Sequence, residues 1–184
     1  WDLSSVYEKE YSKNVKLKFP PNAYVDLNER YYKSGLEYFI DFEDDYEDCE
    51  ILGVESDFLT DIGQYKFTGK IDLIVRDKTG IVVIDNKSKK EVKTKKEKDE
   101  FMKQLYIYST YIREKYGEYP YKLVLNLFRG GTKVEELFSE DRYKEAILWI
   151  TETIDEIYKD IEFKTNNSDF FCNYLCSMGT HCNC

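Results

Sequence analysis

Two short segments carry residues whose types and spacing could do chemistry on a phosphate: Gly69-Lys70-Ile71-Asp72 and Ile81-Val82-Val83-Ile84-Asp85-Asn86-Lys87. Residues two apart in a strand share a face, so Asp85 and Lys87 project from one side while Val82 and Ile84 go to the other. A turn centred on Lys78-Thr79 sets Asp72 opposite Asp85, with Cβ atoms about 5 Å apart. Carboxylates so placed repel, and strands otherwise filled with Ile, Leu and Val give no stability reason for them. A divalent cation does give one. Mg²⁺ and Mn²⁺ prefer oxygen ligands and keep several waters for phosphate chemistry. Lys87 supplies a positive group for a scissile phosphate or an attacking water. The plain alternative is a solvated pair of edge-strand Asp residues with Lys87 as a salt-bridge partner.

The elements that must position these residues are legible around them. Ile51 to Leu59, Tyr65 to Val75 and Ile81 to Asp85 are short apolar or alternating runs, separated by Asp61-Ile62-Gly63 and Asp77-Lys78-Thr79-Gly80, and predict an antiparallel meander. Thr94 and Glu97 form a capping-box signature ahead of a helix with Phe101, Leu105, Tyr108 and Ile112 on one face and Gly117 as its stop. Tyr121 to Phe128 and Thr132 to Phe138 predict two more strands around Gly130-Gly131. Ser139 can cap a last helix whose Tyr143, Ala146, Ile147, Ile150, Ile154, Ile157 and Ile161 keep one face apolar. Upstream, Phe19-Pro20-Pro21-Asn22 is a turn signal, and Asn28 to Ile40 places Tyr31, Tyr32, Leu36, Phe39 and Ile40 at helical spacing. The expected organisation is a helical lead-in over 1–50, a core over 51–165 and a Cys-rich tail over 166–184.

Gly69-x-x-Asp72, then Asp85-x-Lys87 after an apolar strand, then Gln104-x-x-x-Tyr108 on the next helix, resembles the PD-(D/E)xK nuclease superfamily. The resemblance runs from about Val54 to the C-terminus. It is to the RecB-like branch, which includes nuclease domains of recombination helicase-nucleases and the CRISPR-associated adaptation exonucleases. The resemblance implies an α/β (α+β) restriction-endonuclease-like core with a central mixed sheet flanked by helices. It further implies that Asp72, Asp85 and the carbonyl of Asn86 bind metal and that Lys87 positions water and phosphate. Gln104 and Tyr108, which share a helix face, would touch DNA or order the lysine, although Tyr108 also lies on the apolar stripe. Glu55 resembles an acidic position on the family's first strand, and a solvent-facing Glu there is the alternative. Many relatives carry a histidine ligand before that strand, and this chain has no histidine before His181.

Cys172, Cys176, Cys182 and Cys184 crowd the last thirteen residues, and without a secretion signal they are expected to ligate a metal rather than form disulfides. The resemblance implies a [4Fe-4S] cluster, with Cys49 or Cys184 as a fourth ligand. Zinc, held by four Cys or by three Cys and His181, is the rival. The six lysines from Lys89 to Lys98 follow the strand of Asp85 and Lys87 and can flank a DNA groove or simply form a solvated loop.

The 184 residues suit one domain with one sizeable core. A net charge of −9 excludes coating nucleic acid through bulk positive charge, so contact with DNA must be local or cation-mediated. No run approaches the roughly 18 apolar residues of a spanning helix, so no membrane partner is expected. Trp1 opens the chain with no initiator Met or signal-peptide pattern, which predicts a fragment and a cytoplasmic setting. The expected activity is metal-dependent DNA hydrolysis, exonucleolytic on single strands or ends, in recombination, repair or replication and with a helicase or recombination protein as partner. The alternative is a non-catalytic DNA-binding or scaffolding module with a structural metal tail.

Overall fold

The computed structural model describes residues 2–21, 23–40, 42, 46–162 and 172, which belong to two compact units, 1–151 and 152–184. The first unit holds helices α1 (Leu3–Asn14) and α2 (Leu27–Ile40), strands β1 (Glu50–Ile62), β2 (Tyr65–Arg76) and β3 (Ile81–Lys87), and helix α3 (Lys95–Tyr116). Strands β4 (Lys122–Leu127) and β5 (Thr132–Leu137) and the larger part of helix α4 (Glu140–Lys159) complete it. The described residues of the second unit are the end of α4, the segment to Glu162, and Cys172, which is buried.

The strands lie in the order β1-β2-β3-β4-β5, with β3 and β4 parallel and the other pairs antiparallel. A parallel pair needs a crossover, and α3 supplies it. Thr94 caps that helix by accepting the Glu97 amide at 3.1 Å, and Gly117 ends it in the left-handed conformation. The Glu97 carboxylate takes the Lys93 amide at 2.9 Å and pairs with Lys89. This mixed sheet with its flanking helices is the α/β architecture expected of a restriction-endonuclease-like core.

The main core lies between the sheet and α3. Ile71, Ile74, Ile81 and Val83 pack there against Met102, Leu105 and Ile112, with Ala146 of α4 closing the layer. Val75, Val82, Ile84 and Val124 form a smaller cluster on the opposite face. Central strands buried on both faces read as continuous apolar runs, which is why β3 carries four in succession. Tyr106 of α3 donates to Glu136 of β5 at 2.7 Å, and Arg142 of α4 bridges Glu136 and Asp99 at 2.9 and 2.8 Å. These polar contacts fix the start of α4 on the core.

Three details differ from the sequence reading. The first strand runs on to Ile62, because Phe58, Thr60 and Ile62 all turn inward. The loop between β4 and β5 is one turn of 3-10 helix, Phe128–Gly130, followed by Gly131. The α4 stripe is core only near its start: Ala146 is buried, whereas Ile157 is 63% exposed and Ile161 lies beyond the helix end.

The β2–β3 turn sets the register on which the site depends. Asp77 accepts the amides of Thr79 and Gly80 at 2.7 and 3.1 Å and the Tyr121 hydroxyl. The Tyr121 hydroxyl first, and then these amides, hold the Asp77 carboxyl below its ordinary 3.8. Stability from this group is complete above that unfolded-state value and disappears as pH falls through the lower folded-state one. Asp77→Asn should therefore lower the melting temperature at pH 7 by about 2–4 °C, the scale of roughly 1 kcal/mol in a chain of this size. The difference from the parent protein should close as pH is taken down below the folded-state value, which thermal melts across an acid series would check.

Candidate active site

Asp85 and Lys87 occupy the carboxyl end of β3. The strand sends Ile81 and Val83 to the α3 layer and Val82 and Ile84 to the opposite one, so Asp85 and Lys87 emerge toward α3. Asp85 is only 3% exposed. Burial pushes its carboxyl above the ordinary range; Lys87 draws it back, and the charge of Asp72 pushes it further up. Lys87 Nζ lies 2.7 Å from the buried Asp85 Oδ2, an ion pair that offsets part of the cost of burial.

Asp72 reaches the same place through an irregularity. The β2–β3 ladder runs from Arg76↔Ile81 to Leu73↔Ile84, the register expected from the turn, and Asp72 stands one step beyond. Its Oδ2 accepts the backbone amide of Asn86 at 2.7 Å. Ile71 and Ile74 both join the α3 layer while Leu73 and Val75 join the other, so the alternation slips by one residue at Asp72. Across the β1–β2 pair, between Val54↔Leu73 and Ser56↔Ile71, Glu55 has φ 48°. Such irregularities re-aim side chains, and a non-glycine residue in this region costs about 1–2 kcal/mol. Glu55 itself is largely exposed and lies 3.7 Å from Lys70 Nζ.

Gln104 and Tyr108 hold the lysine. Gln104 Oε1 accepts from Lys87 Nζ at 2.8 Å, and Gln104 Nε2 donates to the Tyr108 hydroxyl. Tyr108 is buried with its ring edge-on to Phe58, centroids 5.4 Å apart. Phe58 in turn faces Gly69 across the β1–β2 pair, where a Cβ would sit 2.7 Å from Phe58 Cε1. The glycine of Gly69-x-x-Asp72 is thus required by the ring that supports Tyr108. Burial raises the tyrosine's pKa, the Gln104 bond lowers it, and the Asp85 and Asp72 charges raise it.

Sequence reasoning missed Asn126. Its amide bridges Asn86 Oδ1 at 2.8 Å and the Tyr38 hydroxyl at 3.1 Å, tying α2 to the catalytic strand from the opposite face. The signal was one polar residue inside the apolar run of β4. Within the lysine run, Lys89 pairs with Glu97, Lys93 with Glu91 and Lys98 with Glu136, so part of that charge is spent inside the protein. Cys49 packs against the smaller apolar cluster. Cys176, Cys182, Cys184 and His181 lie outside the described residues.

The donor set fits a hard divalent cation. Asp72 and Asp85 lie close enough for the charge of Asp72 to raise the Asp85 carboxyl, and Asp85 is buried. Among the described residues no group of three or more His, Cys, Asp or Glu is placed to hold a metal. A profile of the PD-(D/E)XK nuclease superfamily matches residues 3–183. The chain belongs to this superfamily. A search of curated proteins found no match. PD-(D/E)XK proteins are generally nucleases and typically use Mg²⁺ or Mn²⁺.

Gln104 holds Lys87 through a 2.8 Å hydrogen bond, which predicts a positioning role if Lys87 aligns a phosphate. Gln104→Ala should lower the cleavage rate by about 10- to 100-fold, because an ammonium no longer held in place must reorganise during the reaction. Tyr108→Phe should cost less, since it removes only the contact behind Gln104. Single-turnover cleavage beside thermal melts checks both; an unchanged rate in folded Gln104→Ala would remove Gln104 from the mechanism.

Proposed function

We propose that this protein is a Mg²⁺- or Mn²⁺-dependent deoxyribonuclease that hydrolyses phosphodiester bonds, acting as an exonuclease on single-stranded DNA or DNA ends. The observation that carries the reading is the buried Asp85 carboxylate, paired with Lys87 and facing the charge of a second carboxylate, Asp72, at the end of an apolar run. A fold held only by packing would not maintain this arrangement, since each charge there opposes burial.

In this reading Asp72, Asp85 and the carbonyl of Asn86 would hold the cation. When bound, it supplies a Lewis acid that neutralises phosphate charge and makes water a nucleophile at neutral pH. The protein supplies alignment. Lys87, fixed by Gln104 Oε1, presents its remaining N–H groups to the phosphate oxygen on which negative charge grows. Asp72 is anchored beside the strand end by the Asn86 amide. The Tyr108 hydroxyl, occupied as acceptor from Gln104, keeps the amide oxygen turned toward the lysine.

End-labelled linear and circular DNA, single- and double-stranded, incubated with Mn²⁺ tests the reading. Linear single strands should be degraded and circles spared. Asp85→Asn and Asp72→Asn should bind Mn²⁺ more weakly by calorimetry and lose cleavage, with the fold equal or slightly more stable because a repulsion is gone. Lys87→Ala should retain the metal and lose about 10²- to 10³-fold in rate. Full activity in Asp85→Asn would overturn the mechanism.

We further propose that Cys172, Cys176, Cys182 and Cys184 hold a [4Fe-4S] cluster, zinc being the rival, and that the nuclease works beside a helicase in recombination or repair. The support is the resemblance of the tail to the family's cysteine cluster, from whose first spacing it departs by one residue. Anaerobically purified protein should then be brown, with broad absorption near about 400 nm; stoichiometric zinc without iron would decide for the rival.

A further inference from the structure

The sheet face turned away from the carboxylates carries a second feature that nuclease chemistry does not use. Between α2 and the carboxyl ends of β3 and β4 lie two adjoining hollows of about 710 and 770 Å³, which share Tyr38, Phe42, Asn126, Phe128, Arg129 and Lys133. Eight of the residues lining the larger hollow are Tyr or Phe. Arg30, Lys90, Arg129 and Lys133 line the smaller against one carboxylate, Glu37. In a chain of net charge −9 this is a local reversal of sign.

Arg129 gives the hollow its polarity. Its guanidinium lies over the Tyr31 ring at 4.5 Å and donates to the Ser88 carbonyl at 3.3 Å, yet its buried Nε has no acceptor among the described residues. An anionic oxygen would satisfy it. The hollow is also joined to the active strand. A Cβ on Gly130 would fall 1.9 Å from the Lys90 carbonyl oxygen, so the chain leaving β3 packs directly on the turn that carries Arg129. Asn86 lines the larger hollow while its backbone amide holds Asp72.

We propose that this hollow is a binding groove for single-stranded nucleic acid. Bases stack on the rings of Tyr38, Phe42 and Phe128, phosphates are taken by Arg129, Lys90 and Lys133, and the strand continues over the carboxyl end of β3 to the carboxylates. Stacking platforms interleaved with cations suit unpaired strands because every base has an exposed π face. A duplex keeps those faces stacked on one another and offers the rings nothing. The inference rests on the reading of DNA as substrate, and binding measured without metal keeps its failure separate from that of the nuclease reading.

The test is anisotropy of a fluorescein-labelled oligo-dT with the whole chain in EDTA, at several salt concentrations. Lys90 and Lys133 are exposed, so Lys90→Glu/Lys133→Glu can be made without disturbing the core. The double variant should weaken binding by at least about ten-fold and flatten the salt dependence by roughly 1.4 in slope, two phosphate contacts at about 0.7 each. Arg129→Gln should weaken it as well, and if that variant unfolds, the lysine pair still decides. Asp85→Asn should bind the oligonucleotide while failing to cut it. Equal affinity in the double variant, or competition by blunt duplex as effective as by single strand, would overturn the groove. Self-association abolished by Phe42→Asp, with oligo-dT affinity unchanged, would assign the face to a second copy and overturn it too.

Discussion

A carboxylate buried to 3% exposure at the end of an all-apolar strand is the constraint around which this protein is arranged. Removing an ionised group from water costs several kcal/mol unless other charges or hydrogen bonds replace the hydration. Around Asp85 the replacement is incomplete. Lys87 pairs with it at 2.7 Å, while Asp72 adds a like charge. The site therefore sets two carboxylates against one ammonium and is net negative. That is a useful property where a cation must bind and its remaining positions must face a phosphate.

The support for that site runs through two elements rather than through the ligands alone. Gly69 leaves room for the Phe58 ring, Phe58 meets Tyr108, Tyr108 fixes Gln104, and Gln104 holds Lys87. Each contact is ordinary packing or one hydrogen bond. Together they remove rotational freedom from a four-carbon ammonium side chain that would otherwise sample many rotamers. On the opposite face, Asn126 and Tyr38 brace Asn86, so β3 is held from both sides at the point where Asp72 leaves the ladder.

Much of this was legible residue by residue. The turn Asp77-Lys78-Thr79-Gly80 fixed the β2–β3 register, and parity then set Asp85 and Lys87 on one face. Thr94 and Gly117 bounded α3, and the four-residue spacing set Gln104 and Tyr108 together. The inward end of β1, the 3-10 turn after β4 and the exposed end of α4 were not legible. Each depends on whether another layer lies over that segment, which periodicity does not record.

The sequence by itself determined the local geometry: which residues alternate, where helices are capped, which carboxylates and lysine share a face. Those follow from steric and hydrogen-bonding rules acting over a few residues. Only the tertiary structure decided the slip at Asp72 opposite Glu55, the choice of Gln104 as the partner of Lys87, and the meeting of Arg129, Tyr31 and Lys90 around one hollow. These join residues far apart in the chain. Their partners are selected by how strands and helices pack, a long-range competition for space and hydrogen bonds that no local pattern encodes.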